Sequence, residues 1–257
     1  MKIHHLRSAT LIIESGDNFI LVDPMLGDVA TQPYYTFFRF KARKKNPLVP
    51  LLSGSKELLQ KVTHCLITHK HQDHIDKEGI RFLTSRNISV LCSLYDKEYF
   101  VKQGLNIIQS VDYWGKAAFF GGFITGIPAR HGYGYIAKSM GNVMGFYIEL
   151  PDEPSIYISS DTIYTDDVEK ALKNLRPDVA VVACGSAQLD FGKPILMRMD
   201  DIIKFVKNSP NKVIANHLEA LNHCPATRLQ LRKALNNNGL LEKVYIPDDG
   251  DTLEILL

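Results

Sequence analysis

The sequence predicts an α/β or α+β fold in which helices cover central β-sheets. Two observations support this prediction. Nine short apolar runs have the length and composition of strands, and four segments that follow polar capping residues have the features of helices. A chain of 257 residues, 45% hydrophobic and 23% charged, can also bury a sizeable core. We therefore expect residues 1–257 to form one domain.

The elements follow one another in a mixed order, with strands and helices alternating mainly in the second half. Strands are expected at residues 10–14, 18–23, 64–68, 88–92, 123–128, 143–149, 155–160, 179–184 and 212–215. Helices are expected at 55–61 after Ser53, 166–174 after Thr165, 200–208 opened by Asp200 and Asp201, and 225–238 with Pro225 near the first turn. No Gly, Pro or Ser-rich linker divides the chain.

Charge and cysteine content exclude several classes of protein. Thirty Lys and Arg against 28 Asp and Glu leave a net charge of +2, so no nucleic-acid partner is predicted. No apolar stretch of about 18 residues predicts a transmembrane segment, and the N-terminus lacks a signal-peptide pattern. The four cysteines are far apart, which argues against a disulfide framework. We expect a cytoplasmic protein; the sequence does not indicate its oligomeric state.

Residues 31–50 differ from the rest of the chain. Five aromatic residues between Tyr34 and Phe40 overlap at their end with five basic residues between Arg39 and Lys45. The segment is predicted to be a long loop. It either closes over an anionic, partly apolar substrate and excludes water, or packs its aromatic side chains down on the domain.

The strongest chemical signal is the stretch T-H-K-H-Q-D-H-I-D at residues 68–76, at the exit of the predicted strand 64–68. It contains His69, His71, Asp73 and His74. Alternate residues of an extended segment point the same way, and the later two follow as the chain turns, so the cluster can serve two adjacent ions. Imidazole and carboxylate are ligands that Zn²⁺ prefers. The alternative is a solvated polar loop.

Three further candidates follow other predicted strands. His131 opens a glycine-rich turn, Asp161 follows SIYISS, and His217 follows KVIAN. Metal sites in layered folds are built from several strand-end loops, so these residues join the first cluster as candidate ligands. Taken singly, each is more typical of a cap or a surface residue.

With these motifs in place, the sequence resembles the metallo-β-lactamase superfamily along nearly its whole length. The resemblance rests on ATLIIESGDNFILVDP, THKHQDHID, PARHG, SSDT and NHLEALNH in that order. It is greatest to the branch of metal-dependent hydrolases that includes ascorbate-6-phosphate lactonase and the N-acylphosphatidylethanolamine-hydrolysing phospholipase D. The resemblance implies a four-layer αββα sandwich with metal ions at one edge between the sheets.

The resemblance also implies roles for the candidate residues. A first metal would be held by His69, His71 and His131, a second by Asp73, His74 and His217, and Asp161 would bridge them. Two adjacent ions can share a hydroxide, lower its pKa and polarise a carbonyl or phosphoryl oxygen. Zn²⁺ is the first expectation for both ions, with Mn²⁺ or Fe²⁺ as alternatives. Asp23 resembles a family residue that accepts the outer N–H of a ligand imidazole, although a turn before Pro24 explains it almost equally well.

The chain departs from the family at two positions. His64 stands where the family often has an aspartate, and we expect it to be buried and hydrogen-bonded. Many true β-lactamases have a ligand cysteine where this chain has Asp161, which argues against antibiotic hydrolysis. Cys184 lies in an apolar run and is predicted to be a strand residue.

The predicted function is a binuclear metal-dependent hydrolase that acts on an ester, lactone or phosphoester of a small molecule. Alternatives are a ribonuclease-type phosphodiesterase and a metal-binding scaffold without catalysis. Asp73 and His223 are the predicted catalytic residues; His223 would act without binding metal, beside the start of the helix near Pro225. A structural role for His223 remains open, and Glu219 is a candidate to orient His217.

Overall fold

Two β-sheets packed face to face form the centre of the computed structural model, which describes residues 1–256. The strands are β1 Lys2–Arg7, β2 Thr10–Ser15, β3 Asn18–Val22, β4 His64–Ile67, β5 Ser89–Ser93, β6 Asn106–Val111, β7 Lys116–Phe119, β8 Gly122–Pro128, β9 Met144–Glu149, β10 Ile156–Ile158, β11 Val179–Ala183, β12 Lys212–Asn216, β13 Val244–Tyr245 and β14 Thr252–Glu254. One sheet has the order β14-β1-β2-β3-β4-β5-β6 and the other the order β13-β12-β11-β10-β9-β8-β7.

Helices flank both sheets. They are α1 Ser55–Lys61, α2 Lys77–Ser85, α3 Lys97–Lys102, α4 Ile136–Ser139, α5 Asp166–Lys170, α6 Met199–Asn208 and α7 Arg228–Asn237. A π-helical turn, Ala171–Leu175, continues α5, and a 3-10 turn spans Leu241–Lys243. Within the described residues, no helix has both the length and the apolar composition that crossing a membrane requires.

Successive side chains of a strand alternate in direction, and this alternation produces the layers of the fold. In β2, Leu11 and Ile13 face the opposing sheet, whereas Ile12 between them packs towards the helices on the outside. In β11, Val179 and Val181 face the sheet interface while their neighbours pack under α5, α6 and α7. Because successive side chains of a strand point to opposite faces, fully apolar strands are covered on both sides. The four-layer αββα sandwich predicted above is confirmed.

Each sheet has an antiparallel part and a parallel part. Strands β3 to β6 run parallel in the first sheet, as do β10 to β13 in the second. Parallel strands place their carboxyl ends at a common edge, where the loops that follow them can build one site. The loops after β4, β10 and β12 carry the candidate ligands.

All nine predicted strands are present, with ends that differ by one or two residues. The predicted helix 225–238 begins later, at Arg228, because Thr227 caps it with its side chain and Pro225 lies outside the first turn. The predicted helix 166–174 is divided between α5 and the π-helical turn. Cys184 directly follows β11, and all four cysteines are buried and free.

Candidate metal centre

Seven side chains converge at one edge of the sandwich from four strand ends. The loop after β4 supplies four of them, and the loops after β8, β10 and β12 supply one each. They fall into two groups, and within each group the potential ligand atoms all lie within 4.8 Å of one another. The first group is His69, His71 and His131, and the second is Asp73, His74, Asp161 and His217. The structure thus brings together every residue proposed as a ligand from the sequence.

Asp161 faces both groups. Its Oδ2 lies 3.4 Å from His131 Nε2, in the first group. Its Oδ1 lies 3.2 Å from His74 Nε2 and 3.6 Å from His217 Nε2, in the second. The two oxygens of one carboxylate are therefore directed at different ligand sets, which is the arrangement a bridging ligand requires.

Hydrogen bonds to the outer nitrogens orient two of the three histidines of the first group. His131 Nδ1 lies 2.8 Å from the Ile195 carbonyl and must donate to it, which leaves Nε2 with a free lone pair. Thr68 Oγ1 donates its proton to Asp23, so it accepts from His69 Nδ1 at 3.0 Å. His69 Nε2 then carries no proton, and its lone pair is available to a metal ion; it lies 3.1 Å from His71 Nδ1. Outer-nitrogen contacts of this kind fix the tautomer of a metal ligand.

The second group is oriented in the same way. His74 Nδ1 donates to Asp23 Oδ2 at 2.8 Å, and His217 Nδ1 lies 3.5 Å from Cys224 Sγ. Their Nε2 atoms point inward, with His217 Nε2 3.6 Å from Asp73 Oδ2. Gly185 permits the close packing beneath His217, because a Cβ at that position would lie 2.4 Å from the His217 carbonyl oxygen.

Asp23 is the main support of the loop after β4. Its carboxylate accepts hydrogen bonds from the Thr68 backbone N–H and the Thr68 hydroxyl, each at 2.8 Å, besides the one from His74. Asp23 is 2% exposed. This is the geometry expected for a carboxylate that orients ligand imidazoles, and the same residue also makes the turn before Pro24.

Left-handed backbone conformations occur at three strand ends of the site. The φ angles are 48° at Asp23, 58° at Ser160 and 58° at His217. Residues other than glycine rarely adopt this conformation, and each such residue costs of order 1–3 kcal/mol. The surrounding hydrogen bonds therefore hold these side chains in positions that the local backbone disfavours.

The donor set fits a divalent cation. Three buried polar atoms that point into the second group have no hydrogen-bond partner within the described residues: His74 Nε2, His217 Nε2 and Asp161 Oδ1. Buried polar groups without a partner are rare, and unpaired lone pairs on imidazole and carboxylate are what a bound Zn²⁺, Mn²⁺ or Fe²⁺ would satisfy.

Charges within the cluster are strongly coupled. Burial would raise the pKa of the Asp73 carboxyl, but His217 and His74 outweigh it and hold that pKa well below its usual range. Burial opposes a charge on His74, yet Asp161 and Asp23 raise its pKa to about 10. In His69, burial lowers the pKa well below its ordinary value. A metal ion would displace the protons that the carboxylates attract to the second group, because ligands bind in their deprotonated form.

A cavity of about 260 Å³ opens above the two groups. His71, Asp73 and His131 form part of its lining, together with His223. The His223 ring is buried, its Nε2 lies 4.0 Å from Asp73 Oδ2, and its Nδ1 has no partner in the described chain. Burial lowers the pKa of His223 to about 4. The residue thus lies at the edge of the site, outside both ligand groups.

Residues 31–50 lie against this cavity and are held by side chains of other loops. The buried Asn222 accepts from the Tyr35 backbone N–H at 2.9 Å and donates to Thr36 Oγ1 at 2.8 Å. Asp190 accepts from the backbone N–H groups of Phe37 and Phe38. The segment is irregular, as predicted, but these hydrogen bonds anchor it at residues 35–38.

Three expectations need correction. Glu219 does not contact His217, because its carboxylate is turned to Arg228 Nη1 at 2.6 Å. His64 is hydrogen-bonded to Thr63 Oγ1 but only half-buried, since it begins β4 at the end opposite to the ligands. The helix does not begin beside His223 as expected, because α7 starts at Arg228, with four residues between them.

Sequence reasoning missed two contributors. Cys224 occupies the position expected for Glu219, at the outer nitrogen of His217. Tyr35 lines the cavity, and its ring meets the His223 ring edge-on with centroids 4.9 Å apart. No spacing in the sequence links Tyr35 to the ligands; its place among the aromatic residues of 31–50 was the one available signal.

Comparison with known proteins identifies relatives of the whole chain. A family model described as a beta-lactamase superfamily domain matches residues 18–217. The UPF0173 protein YddR of Bacillus subtilis is 28% identical over 98% of this chain and 99% of its own length. A UPF0173 metal-dependent hydrolase of Pyrococcus abyssi is 25% identical over 85% of this chain and 95% of its own.

Solved structures give the same result. A possible metal-dependent hydrolase from Veillonella parvula superposes with a TM-score of 0.89 at 30% identity, over 99% of both chains. An isothiocyanate hydrolase from Delia radicum gut bacteria also gives 0.89, at 28% identity and with 99% coverage of both chains. The finer likeness to ascorbate-6-phosphate lactonase and the phospholipase D stays a prediction.

Proposed function

We propose that this chain, which belongs to the beta-lactamase superfamily and is related to its metal-dependent hydrolases, hydrolyses an ester, lactone or phosphoester bond of a small molecule. The reaction would take place at a centre that holds two divalent ions, with Zn²⁺ preferred over Mn²⁺ or Fe²⁺. Residues 1–257 would act as a single domain.

The observation that carries the proposal is the position of Asp161 between the two ligand groups. His69, His71 and His131 would hold one ion, and Asp73, His74 and His217 the other, with one oxygen of Asp161 for each. Two adjacent divalent ions lower the pKa of water and polarise a substrate oxygen.

The remaining chemistry would come from side chains of the cavity. His223 would donate a hydrogen bond from its ring N–H to the oxygen that leaves, from its place 4.0 Å from Asp73. Because burial lowers its pKa to about 4, the ring would be neutral near neutral pH. Tyr35 would hold the His223 ring in position through the edge-on contact and, with the anchored segment 31–50, would exclude water.

A second candidate reaction is the hydrolysis of an isothiocyanate. It is favoured by the isothiocyanate hydrolase that superposes over 99% of both chains. The central carbon of an N=C=S group is an electrophile, and addition of water followed by C–N cleavage gives an amine and carbonyl sulfide. The same cavity and ligand groups would serve this reaction. A ribonuclease activity is less favoured, because a cavity of about 260 Å³ accommodates a small molecule.

The test is metal analysis followed by an activity screen of the full chain. Elemental analysis should find up to two divalent ions per chain. Protein loaded with Zn²⁺, Mn²⁺ or Fe²⁺ should hydrolyse at least one substrate among esters, lactones, phosphodiesters and isothiocyanates, and chelation should abolish the activity.

His69→Ala and His64→Ala form a matched pair for this screen. The first removes a proposed ligand, and the second removes a half-buried histidine at the far end of the same strand. Only the first should lose metal and activity. Protein that binds metal but hydrolyses nothing would favour the scaffold without catalysis, and protein that binds no metal would refute the proposal.

A further inference from the structure

The cavity above the ligand groups is lined by two kinds of side chain, which we call its floor and its walls. Its floor consists of His71, Asp73, His131 and His223, with Gln72 at the edge. The other lining residues are Tyr35, Met140, Leu189 and Ile195. No lysine or arginine lines the cavity among residues 1–256. A substrate would therefore place its reacting bond on the floor and its other substituent against apolar walls.

Three separate segments supply these walls, and one buried cluster supports them. Tyr35 comes from the segment 31–50, Met140 from the end of α4, and Leu189 and Ile195 from the loop after β11. Ile195 belongs to the buried cluster, and the other three pack against it. Because their positions are fixed by core packing, the walls form a preorganised surface.

None of the five basic residues of 31–50 lines the cavity, and Arg39 lies beside Asp190, to which its backbone N–H donates. Lys41 Nζ lies 3.4 Å from the Glu219 carbonyl oxygen, and Arg43 lies over the exposed Phe38 ring. Lys44 and Lys45 are exposed. None of these cations lines the cavity. An anionic group at the non-reacting end of a substrate would therefore meet no cationic side chain there.

We infer that the walls select a small substrate whose non-reacting substituent is uncharged and apolar, and that Leu189 and Met140 are specificity-determining residues. This inference rests on the proposed function for the reacting bond but concerns the opposite end of the substrate. A charged substituent would lose its hydration against carbon atoms without gaining a partner, which is costly. An apolar substituent would gain free energy by burial.

Binding of two matched hydroxamic acids tests the inference independently of turnover. The hydroxamate group is a metal chelator, so it directs the rest of the molecule to the cavity. 4-Acetylbenzohydroxamic acid and 4-carboxybenzohydroxamic acid have the same number of heavy atoms and differ in charge. Calorimetry on metal-loaded protein should show tighter binding of the acetyl compound by about tenfold or more, because the carboxylate would be desolvated without a partner.

A charge placed on the wall should reverse the preference. Leu189→Arg should bind the carboxy compound more tightly than the acetyl compound, and Met140→Arg provides a second variant should the first unfold. Leu229→Arg is the control, since Leu229 lies on α7 and is 77% exposed; it should behave as wild type. Thermal unfolding and metal content are measured for each variant.

Equal affinities of wild type for the two compounds, or tighter binding of the carboxylate, would overturn the inference. The proposed hydrolase activity can fail separately. In that case no substrate would be hydrolysed, although the acetyl compound would still bind more tightly to the metal-loaded protein.

Discussion

Replacing Asp23 with Asn should weaken the second metal group without touching a proposed ligand. The carboxylate accepts three hydrogen bonds, two from Thr68 and one from His74 Nδ1, all at 2.8 Å. An amide has one oxygen, so its NH₂ group must face at least one of these donors. The arrangement that keeps the bond to the Thr68 backbone turns the NH₂ group towards Thr68 Oγ1 and His74 Nδ1. His74 can then take the other tautomer, with its proton on Nε2.

The size of the effect follows from that tautomer. A proton on Nε2 occupies the atom that lies 3.2 Å from Asp161 Oδ1 and is directed into the second group. Loss of an outer-shell partner typically lowers metal affinity by about 10–100-fold, which corresponds to about 1.4–2.7 kcal/mol. Leaving a buried donor unsatisfied adds a loss of about 1–3 kcal/mol in the free energy of unfolding. The first group should lose less affinity, because Ile195 still anchors His131 and only His69 depends on Asp23, through Thr68.

Stepwise competition against a chromophoric chelator measures both affinities, and thermal unfolding measures stability. Asp17→Asn is the matched control, because Asp17 is exposed in the turn between β2 and β3. Asp23→Asn should lose affinity for one of two ions, and Asp17→Asn for neither. A variant at Asp23 that is less stable but binds both ions as tightly as wild type would show that Asp23 supports the turn alone.

Three further predictions concern the site. Asp73→Ala should abolish turnover while circular dichroism stays close to wild type, because a loop carboxylate is removed; wild-type rates would contradict the two-metal proposal. His223→Ala should keep both metals and lower kcat/KM by about a hundredfold, as loss of a hydrogen-bond donor to the leaving group does; near-normal kcat/KM with a lower Tm would assign it a structural role. Shortening residues 31–50 should raise KM far more than it changes metal content, because Tyr35 leaves the cavity wall; unchanged kinetics would exclude a covering role.

The sequence was most informative where strands are covered on both faces. Such strands appear as continuous apolar runs, as in β4 and β11. Most of the missed strands lie at or near sheet edges and are short or partly exposed, as in β7 Lys116–Phe119 and β14 Thr252–Glu254. The buried strand β1 was missed because its sequence, KIHHLR, is not an apolar run. Helix α2 was also missed, although the sequence contains a capping residue for it: Asp76 accepts from the Gly79 N–H.

Four candidate ligands of the site were predictable because they lie in one short stretch of the chain. The spacing of His69, His71, Asp73 and His74 is visible in one stretch of chain, whereas outer contacts depend on how distant loops pack. Glu219 was a reasonable candidate beside His217. Its backbone is left-handed, with φ 61°, and its side chain accepts a hydrogen bond from Arg228 instead. Cys224 reaches His217 instead, and no sequence spacing predicts a thiol in that role.

The packing of the two sheets completes both ligand groups, because each group takes side chains from both sheets. The loop after β4 belongs to the first sheet, and His131, Asp161 and His217 follow strands of the second. Backbone hydrogen bonds join the sheets beside the site: the His217 N–H donates to the Ser8 carbonyl, and the Met144 N–H to that of Thr68. Asp161 can face both groups only when the apolar faces between the sheets are in register. The side chains between the sheets therefore determine the metal centre as much as the ligands do. The loop after β4 forms a recognisable motif by itself, whereas His131, Asp161 and His217 are weak candidates singly, and the fold brings them to that loop.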